Sequence, residues 1–411
     1  MATYRISANT TTGTNMRADN DVWIVNPNVT VSVSTDDAFF GGKEFTGNEI
    51  RVNGTVEATG SFYAFSMLGR GTKIDINATG EVTADGTALW MRARGANIIN
   101  SGSIEGGNFA VRVEKFNSEL TNDGTITSAN TAVLFSGTNN TIENSGTITG
   151  KVGVSSQALA RETFELTNSG TLTGTKYAFV GSDAKETVSN SGTINGDVYL
   201  RAGDDVFAFR GGTVTGTVYG GNGNDTYRIG KAGLTINEVT AGGTDKVVAT
   251  IAYTLGAFLE DLQLNGNKAI DGTGNNLQNA IAGNTAANVL SGLGGNDAIT
   301  GGGGADRLLG GNGNDKLNGG AGNDALTGGA SRDTFIFAAN TGQDRITDFA
   351  ATGALRDVVD VSTVAAIQSF QDLQANHMEQ VGADVVITYA GSKITLEDVT
   401  LGDLTASNFL I

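Results

Sequence analysis

The sequence predicts an all-β chain: a right-handed parallel β-helix that continues into a parallel β-roll and ends in a β-rich C-terminal cap. Two periods carry this reading. From Gly292 the chain repeats every nine residues on the plan Gly-Gly-x-Gly-x-Asp-x-apolar-x. Upstream, a motif built on Asn-Ser-Gly-Thr-Ile-x-Gly returns about every 22 residues. A third observation is compositional. Sixty glycines against one proline suit many tight turns and argue against a Pro-rich disordered tail.

The 411 residues leave room for two or three domains. The natural divisions are 1–55, 56–200, 201–337 and 338–411. Residues 1–55 are polar and strand-like. Asp21-Val22-Trp23-Ile24-Val25 and Val29-Thr30-Val31-Ser32-Val33 alternate, with Pro27 between them. They are read as the cap and first coils of the β-helix.

Residues 56–200 carry the longer repeat. Copies begin at Asn100, Asn122, Asn144, Asn168 and Asn190. Two residues before each Asn stands Ile98, Leu120, Ile142, Leu166 or Val188, and four after it Ile104, Ile126, Ile148, Leu172 or Ile194. A third strand opens on a small residue and then an apolar one, from Ala64-Phe65 and Ala88-Leu89 to Ala178-Phe179. Three short strands cannot bury their own inward residues, but stacked units can. Parallel crossovers are right-handed nearly always. The corner asparagines then form a ladder of amides. A β-sandwich would not return one motif at a fixed period.

Residues 201–337 hold the nine-residue array and its lead-in. Gly220-Gly221-Asn222-Gly223-Asn224-Asp225 is a complete copy, with degenerate copies ending at Asp205 and Asp245, 20 residues to either side. In the main array the sixth position reads Asn288, Asp297, Asp306, Asp315, Asp324, Asp333, and the eighth Leu290, Ile299, Leu308, Leu317, Leu326, Phe335. Glycines allow φ > 0 and leave carbonyls bare on a tight turn. The x-apolar-x triplet is a short strand with one inward residue. Nine residues make a turn and a strand, and eighteen a coil. Asp297 therefore stacks near Asp315 and then Asp333, and Asp306 near Asp324. Stacked carboxylates repel, and a cation between them removes that cost. An all-oxygen set suits Ca²⁺ better than Mg²⁺ or Zn²⁺. The expected ligands are the carboxylates of Asp205, Asp225, Asp245, Asp297, Asp306, Asp315, Asp324 and Asp333. Backbone oxygens around Gly220, Asn222, Gly301, Gly303, Gly310, Asn312, Gly319 and Ala321 complete the set, for several Ca²⁺ ions in all. Asn279 and Asn288 replace Asp, so metal at those steps is expected to be weak or absent.

This array resembles the RTX (repeats-in-toxin, hemolysin-type) calcium-binding repeats. The 56–200 half resembles the β-helical repeats of bacterial surface and secreted proteins, so the whole is similar to RTX proteins of the surface-layer and adhesin kind. Downstream, Thr334-Phe335-Ile336-Phe337, Asp344-Arg345-Ile346-Thr347-Asp348-Phe349 and Asp357-Val358-Val359-Asp360-Val361-Ser362 resemble the C-terminal pattern of serralysin-type proteases and related RTX proteins. The resemblance implies a right-handed parallel β-roll with Ca²⁺ between successive loops. It also implies that 338–411 caps the roll and carries an uncleaved type I secretion signal. The start, Met1-Ala2-Thr3-Tyr4-Arg5-Ile6-Ser7, has no apolar run of a cleavable signal peptide. An extracellular location, secreted or cell-surface associated, follows as an expectation.

A net charge of −17 disfavours nucleic acid and anionic membranes as partners. No cysteine is available for a thiolate metal site, and no stretch is long and apolar enough to span a membrane. His377 is the one histidine. The zinc motif of the serralysin proteases is therefore absent, no Gly-x-Ser-x-Gly is found, and no catalytic residue is predicted. The expectation is a non-enzymatic structural protein of a surface layer, matrix filament or adhesin. It would fold on Ca²⁺ after type I secretion and self-associate into a filament or lattice. The rival expectation rests on the charged 88–115 face, where Arg92, Arg94, Arg112 and Lys115 lie with Glu114 and Trp90. On that reading the chain is a polysaccharide-active enzyme of epimerase or lyase type, or an adhesin for a cell-surface polysaccharide. The Asp-Pro-His signature of alginate epimerases is missing, and a solvated charge ladder explains the same face.

Overall fold

The computed structural model describes residues 2–16, 18–43 and 45–411. They form two compact units, Met1–Thr226 with Gly233–Gly243, and Tyr227–Ala232 with Thr244–Ile411. Both are parallel β-solenoids, as the two periods predict. No helix of the described residues is long and apolar enough to cross a membrane.

In the first unit each coil of the repeat contributes three strands. Asn97–Asn100, Glu119–Asn122, Asn140–Asn144, Thr163–Asn168 and Lys185–Asn190 pair in parallel, so Ile98, Leu120, Ile142, Leu166 and Val188 stack in one line. Ile104, Ile126, Ile148, Leu172 and Ile194 stack in a second. Phe65, Leu89, Val111, Val133, Val154 and Phe179 stack in a third. All three lines are buried. The motif glycine has a close-approach role. A Cβ on Gly124, Gly146, Gly170 or Gly192 would collide with the carbonyl of the motif glycine one coil earlier. The asparagine before it closes the corner. Nδ2 of Asn100, Asn122, Asn144 and Asn168 donates to Oδ1 of the next Asn at 2.7–2.8 Å, and all five residues are buried. Strands from the segment read as cap and first coils join this stack. Thr3–Ile6 pairs with Val22–Val25, which pairs with Glu49–Val52 and onward to Lys73–Ile76. Their coils are unequal, at 19, 27 and 24 residues, which hides the repeat from the sequence.

In the second unit two sheets face each other. Ala280–Ala282, Ala298–Gly303, Lys316–Ala321, Thr334–Ile336 and Val358–Asp360 pair in one. Val289–Gly294, Arg307–Asn312, Ala325–Ala330, Gln343–Ile346 and Ser392–Leu396 pair in the other. Leu290, Ile299, Leu308, Leu317, Leu326 and Phe335 fill the space between, at 0–1% exposure. The eighteen-residue coil holds, since Leu290 pairs with Leu308 and Leu308 with Leu326. The strands are six residues long rather than the expected triplets, because pairing continues through the Gly-Gly steps. Coils also run beyond residue 337. Phe335 pairs with Val359, and Val359 with Phe409. The closing element is an antiparallel hairpin, Asp384–Tyr389 with Ser392–Leu396, extended by Met378–Val381. A short helical segment over 370–377 leads into it.

Candidate metal centre

The turns of the second unit bring the predicted aspartates into two columns. In one, the Asp297 N–H donates to Asp315 Oδ1 and the Asp315 N–H to Asp333 Oδ1, both at 2.8 Å. In the other, the Asp306 N–H donates to Asp324 Oδ1 at 2.8 Å. One oxygen of each carboxylate thus replaces a backbone partner from coil to coil. The second oxygen is different. Oδ2 of Asp297, Asp306, Asp315, Asp324 and Asp333 is buried and has no hydrogen-bond partner among the described residues. A buried acceptor left open costs about 1–3 kcal/mol, and more when charged.

What lies beside those oxygens fits a hard cation. A Cβ on Gly292 would collide with both Asp297 Oδ2 and the Gly310 carbonyl. Gly301 stands in the same relation to Asp306 Oδ2 and the Gly319 carbonyl, and Gly310 to Asp315 Oδ2 and the Gly328 carbonyl. Carboxylate and carbonyl oxygens therefore converge over a bare Cα, in a cradle that any side chain would fill. Oxygen donors of this kind, some anionic and some neutral, are a Ca²⁺ set. Burial pushes the carboxyls of Asp297, Asp306 and Asp315 up to about 6 and that of Asp333 to about 7, and neighbouring carboxylates add to the rise at Asp297, Asp306 and Asp333. A bound cation would reverse that direction.

Gly310 and Gly319 thus stand where a carbonyl ligand is needed. The Gly301 carbonyl faces Oδ1 of Asn288 rather than an aspartate. Gly303, Asn312 and Ala321 lie in paired strand, Gly303 opposite Ala321, and the Asn312 carbonyl accepts the Gly295 N–H at 2.9 Å. Asn222 does the same for the Gly203 N–H at 2.9 Å, next to the buried Gly220. At the asparagine steps the amide is satisfied within the chain. Asn279 Nδ2 donates to the carbonyls of Leu259 and Glu260, and its Oδ1 accepts the Asn275 N–H. Asn288 Nδ2 donates to the Ile270 carbonyl, and its Oδ1 accepts the Asn284 N–H. Asp245 is buried and its N–H donates to Glu260 Oε2 at 2.8 Å.

Several carboxylates of the same geometry escaped the sequence reading. Asp344 Oδ1 accepts the Asp324 N–H at 3.0 Å, and its Oδ2 is another open buried oxygen. Asp357 Oδ1 accepts the Asp333 N–H at 2.9 Å. Asp344-Arg345-Ile346 keeps the Asp-x-apolar signal but stands 20 residues after Asp324 instead of 18. In the first unit the Asp205 N–H donates to Asp225 Oδ1 at 2.8 Å, and the Glu186 N–H to Asp205 Oδ1 at 2.7 Å. Glu186 is fully buried, Oε1 takes the N–H and hydroxyl of Ser182, and Oε2 is open, as is Asp205 Oδ2. A Cβ on Gly181 would collide with the Leu200 carbonyl and sit 3.1 Å from Glu186 Oε2, the same cradle with Glu for Asp. Burial raises both carboxyls. Glu238 is buried too, with its Oε2 on the Gly221 N–H and a carboxylate oxygen within 4.8 Å of one of Asp225.

His377 lies in the closing segment of the second unit. Its Nδ1 is 2.8 Å from the Thr388 carbonyl and its Nε2 is 3.8 Å from Asp372.

The family model of the RTX calcium-binding nonapeptide repeat (four copies) matches residues 217–228 and, in overlapping windows, 273–346. No curated protein matches the chain. Among solved structures, a subunit of the mannuronan C5-epimerase of Azotobacter vinelandii is similar at 29% identity and TM-score 0.25, over 31% of this chain and 78% of that one. The extracellular lipase LipA of Serratia marcescens is similar at 19% identity and TM-score 0.26, over 62% of this chain. The match spans only 40% of that lipase. The chain carries RTX calcium-binding nonapeptide repeats on a parallel β-solenoid.

Proposed function

We propose that this is a non-enzymatic, calcium-dependent structural protein that works outside the cell, exported by a type I system and folded by Ca²⁺ on arrival. The observation that carries the reading is the double column of buried, open Oδ2 atoms at Asp297, Asp306, Asp315, Asp324 and Asp333. Without a cation each coil buries an uncompensated charge. With one, binding free energy becomes folding free energy. Asp205, Asp225 and Asp245 extend the ligand set, and the Gly310 and Gly319 carbonyls complete it. Low free Ca²⁺ would keep the chain unfolded until export, and high external Ca²⁺ would close the coils. Among the described residues Thr3–Ile6 and Met378–Val381 each pair on one side only, and such strand edges offer a route to assembly into a filament or lattice. Glu114 does not support a turnover reading, because it is held between Arg112 at 2.7 Å and Arg92 at 4.0 Å.

The test is a Ca²⁺ titration of chelated protein, following circular dichroism and light scattering on one sample. The β-signal and particle mass are expected to rise together. A β-signal at full strength in chelator refutes calcium-driven folding. A full β-signal on a particle that stays monomeric refutes assembly.

A further inference from the structure

The first unit holds a groove of about 470 Å³ whose lining is cationic in a strongly acidic chain. Lys43, Arg70, Arg92, Arg94 and Lys115 line it with Leu68, Ala93 and Phe116, and no described carboxylate is among the lining residues. Lys43, Arg70, Arg94 and Lys115 make no ion pair with a described carboxylate, and Arg92 reaches Glu114 only at 4.0 Å. Five of the chain's 26 cations therefore share one cleft with little internal neutralisation.

The cations are also ordered. The Gly47 N–H donates to the Arg70 carbonyl, the Gly71 N–H to the Arg94 carbonyl, and the Gly95 N–H to the Phe116 carbonyl. Arg70, Arg94 and Phe116 thus occupy one edge position on successive coils, at a strand spacing of about 4.8 Å. The Arg92 guanidinium lies 4.1 Å over the Trp90 ring and that of Arg94 5.6 Å over Phe116. An arginine stacked by its face keeps its N–H edges for a bidentate carboxylate. We propose that this groove binds a linear acidic polysaccharide bearing one carboxylate per sugar, running along the coil axis. Each coil along the groove brings at least one cation, Lys43, Arg70, the pair Arg92 and Arg94, then Lys115, to meet one charge per monomer, and the apolar walls at Leu68, Ala93 and Phe116 suit the faces of sugar rings. The groove lies wholly outside the calcium repeats, so the proposal does not rest on the structural reading above.

The test is calorimetric titration of the full chain at fixed saturating Ca²⁺ with hexagalacturonate, neutral maltohexaose and a six-nucleotide thymidine strand. Hexagalacturonate alone is expected to bind, with affinity falling steeply as salt rises. Arg70→Glu and Arg94→Glu should each cost at least tenfold with an unchanged dichroism spectrum. Lys151→Glu makes the same charge change at an exposed site away from the groove and should cost less than twofold. Should the Arg variants misfold, the salt dependence with wild-type protein still decides, and a flat response overturns the proposal. It is equally overturned by equal losses in all three variants, by maltohexaose binding as well, or by the oligonucleotide binding as tightly. Affinity that tracks free Ca²⁺ at constant ionic strength would move the ligand to the calcium array and overturn it too.

Discussion

Asp315→Asn should stabilise the protein in chelator where Asp315→Ala leaves it near wild type. The Asp315 carboxylate has two roles that the pair of substitutions separates. Its Oδ1 accepts the buried Asp297 N–H at 2.8 Å, and its Oδ2 sits open beside the Gly328 carbonyl. Burial pushes its carboxyl up to about 6. The folded value lies above the unfolded one, so the metal-free fold is penalised as pH rises. Keeping the group charged at about pH 7.5 costs about 3 kcal/mol. Asparagine removes that charge, keeps an oxygen for the Asp297 N–H, and presents its NH₂ to the Gly328 carbonyl. The metal-free protein should gain up to about 3 kcal/mol locally. Alanine removes the charge as well but orphans the Asp297 N–H, which returns about 1–3 kcal/mol. Its metal-free stability should stay near wild type. Both substitutions remove a candidate ligand, so both should raise the Ca²⁺ needed for the remaining transition. Repeat arrays do not melt as one unit. The decisive assay is therefore residue-level amide exchange in chelator, read at Asp297. Slower exchange in Asp315→Asn than in wild type, with Asp315→Ala close to wild type, is the expected pattern. Identical exchange in the two variants, or destabilisation by Asn in chelator, would refute the reasoning.

The remaining expectations rest on the same kinds of atoms. Asp297, Asp306, Asp315 and Asp333 titrate at about 6 to 7 in the metal-free fold, well above their unfolded values. Metal-free protein should therefore gain β-signal as pH falls from about 7.5 to about 5, and the Ca²⁺ midpoint should rise over the same range as protons compete; dichroism at each pH checks both. Glu186→Gln should raise the thermal midpoint of the first unit in chelator and abolish any response of Asp205 resonances to Ca²⁺. Asn144→Ala removes an acceptor for Asn122 and a donor to Asn168. It should cost about 2–4 kcal/mol whether or not Ca²⁺ is present, read as a urea midpoint.

Where a residue type recurs at a fixed interval, the sequence foretold contacts well. The stacking of Asp297 on Asp315 and of Asn122 on Asn144 was legible because the interval of 18 holds through the aspartate column, and that of 22 through the asparagine column but for one step of 24. Where the interval drifts, legibility failed for a geometric reason: loops bulge outward at no cost to the strands beneath. Asp344 and Asp357 sit 20 and 24 residues beyond their partners, so they read as cap sequence. Glu186 was missed because its longer side chain reaches the same cradle under a different letter. The charged face at 88–115 was seen, but not Lys43 and Arg70, which join it across the irregular early coils. The strand Met378–Val381 gave little signal, since an edge strand that buries only its first residue has no alternation to show.

The asparagine steps have a genetic consequence. Asn279 and Asn288 occupy the same slot as the aspartates that come after them, and they differ from them by one atom, a nitrogen for an oxygen. The codons of the two residues differ by a single transition. The stretch of solenoid that requires an ion can therefore lengthen or shorten one rung at a time, by point mutation, with backbone and core untouched. Deamidation makes the same exchange in finished protein wherever it yields aspartate rather than isoaspartate, so an ageing molecule of that kind would come to depend on calcium at rungs it was synthesised to hold by itself.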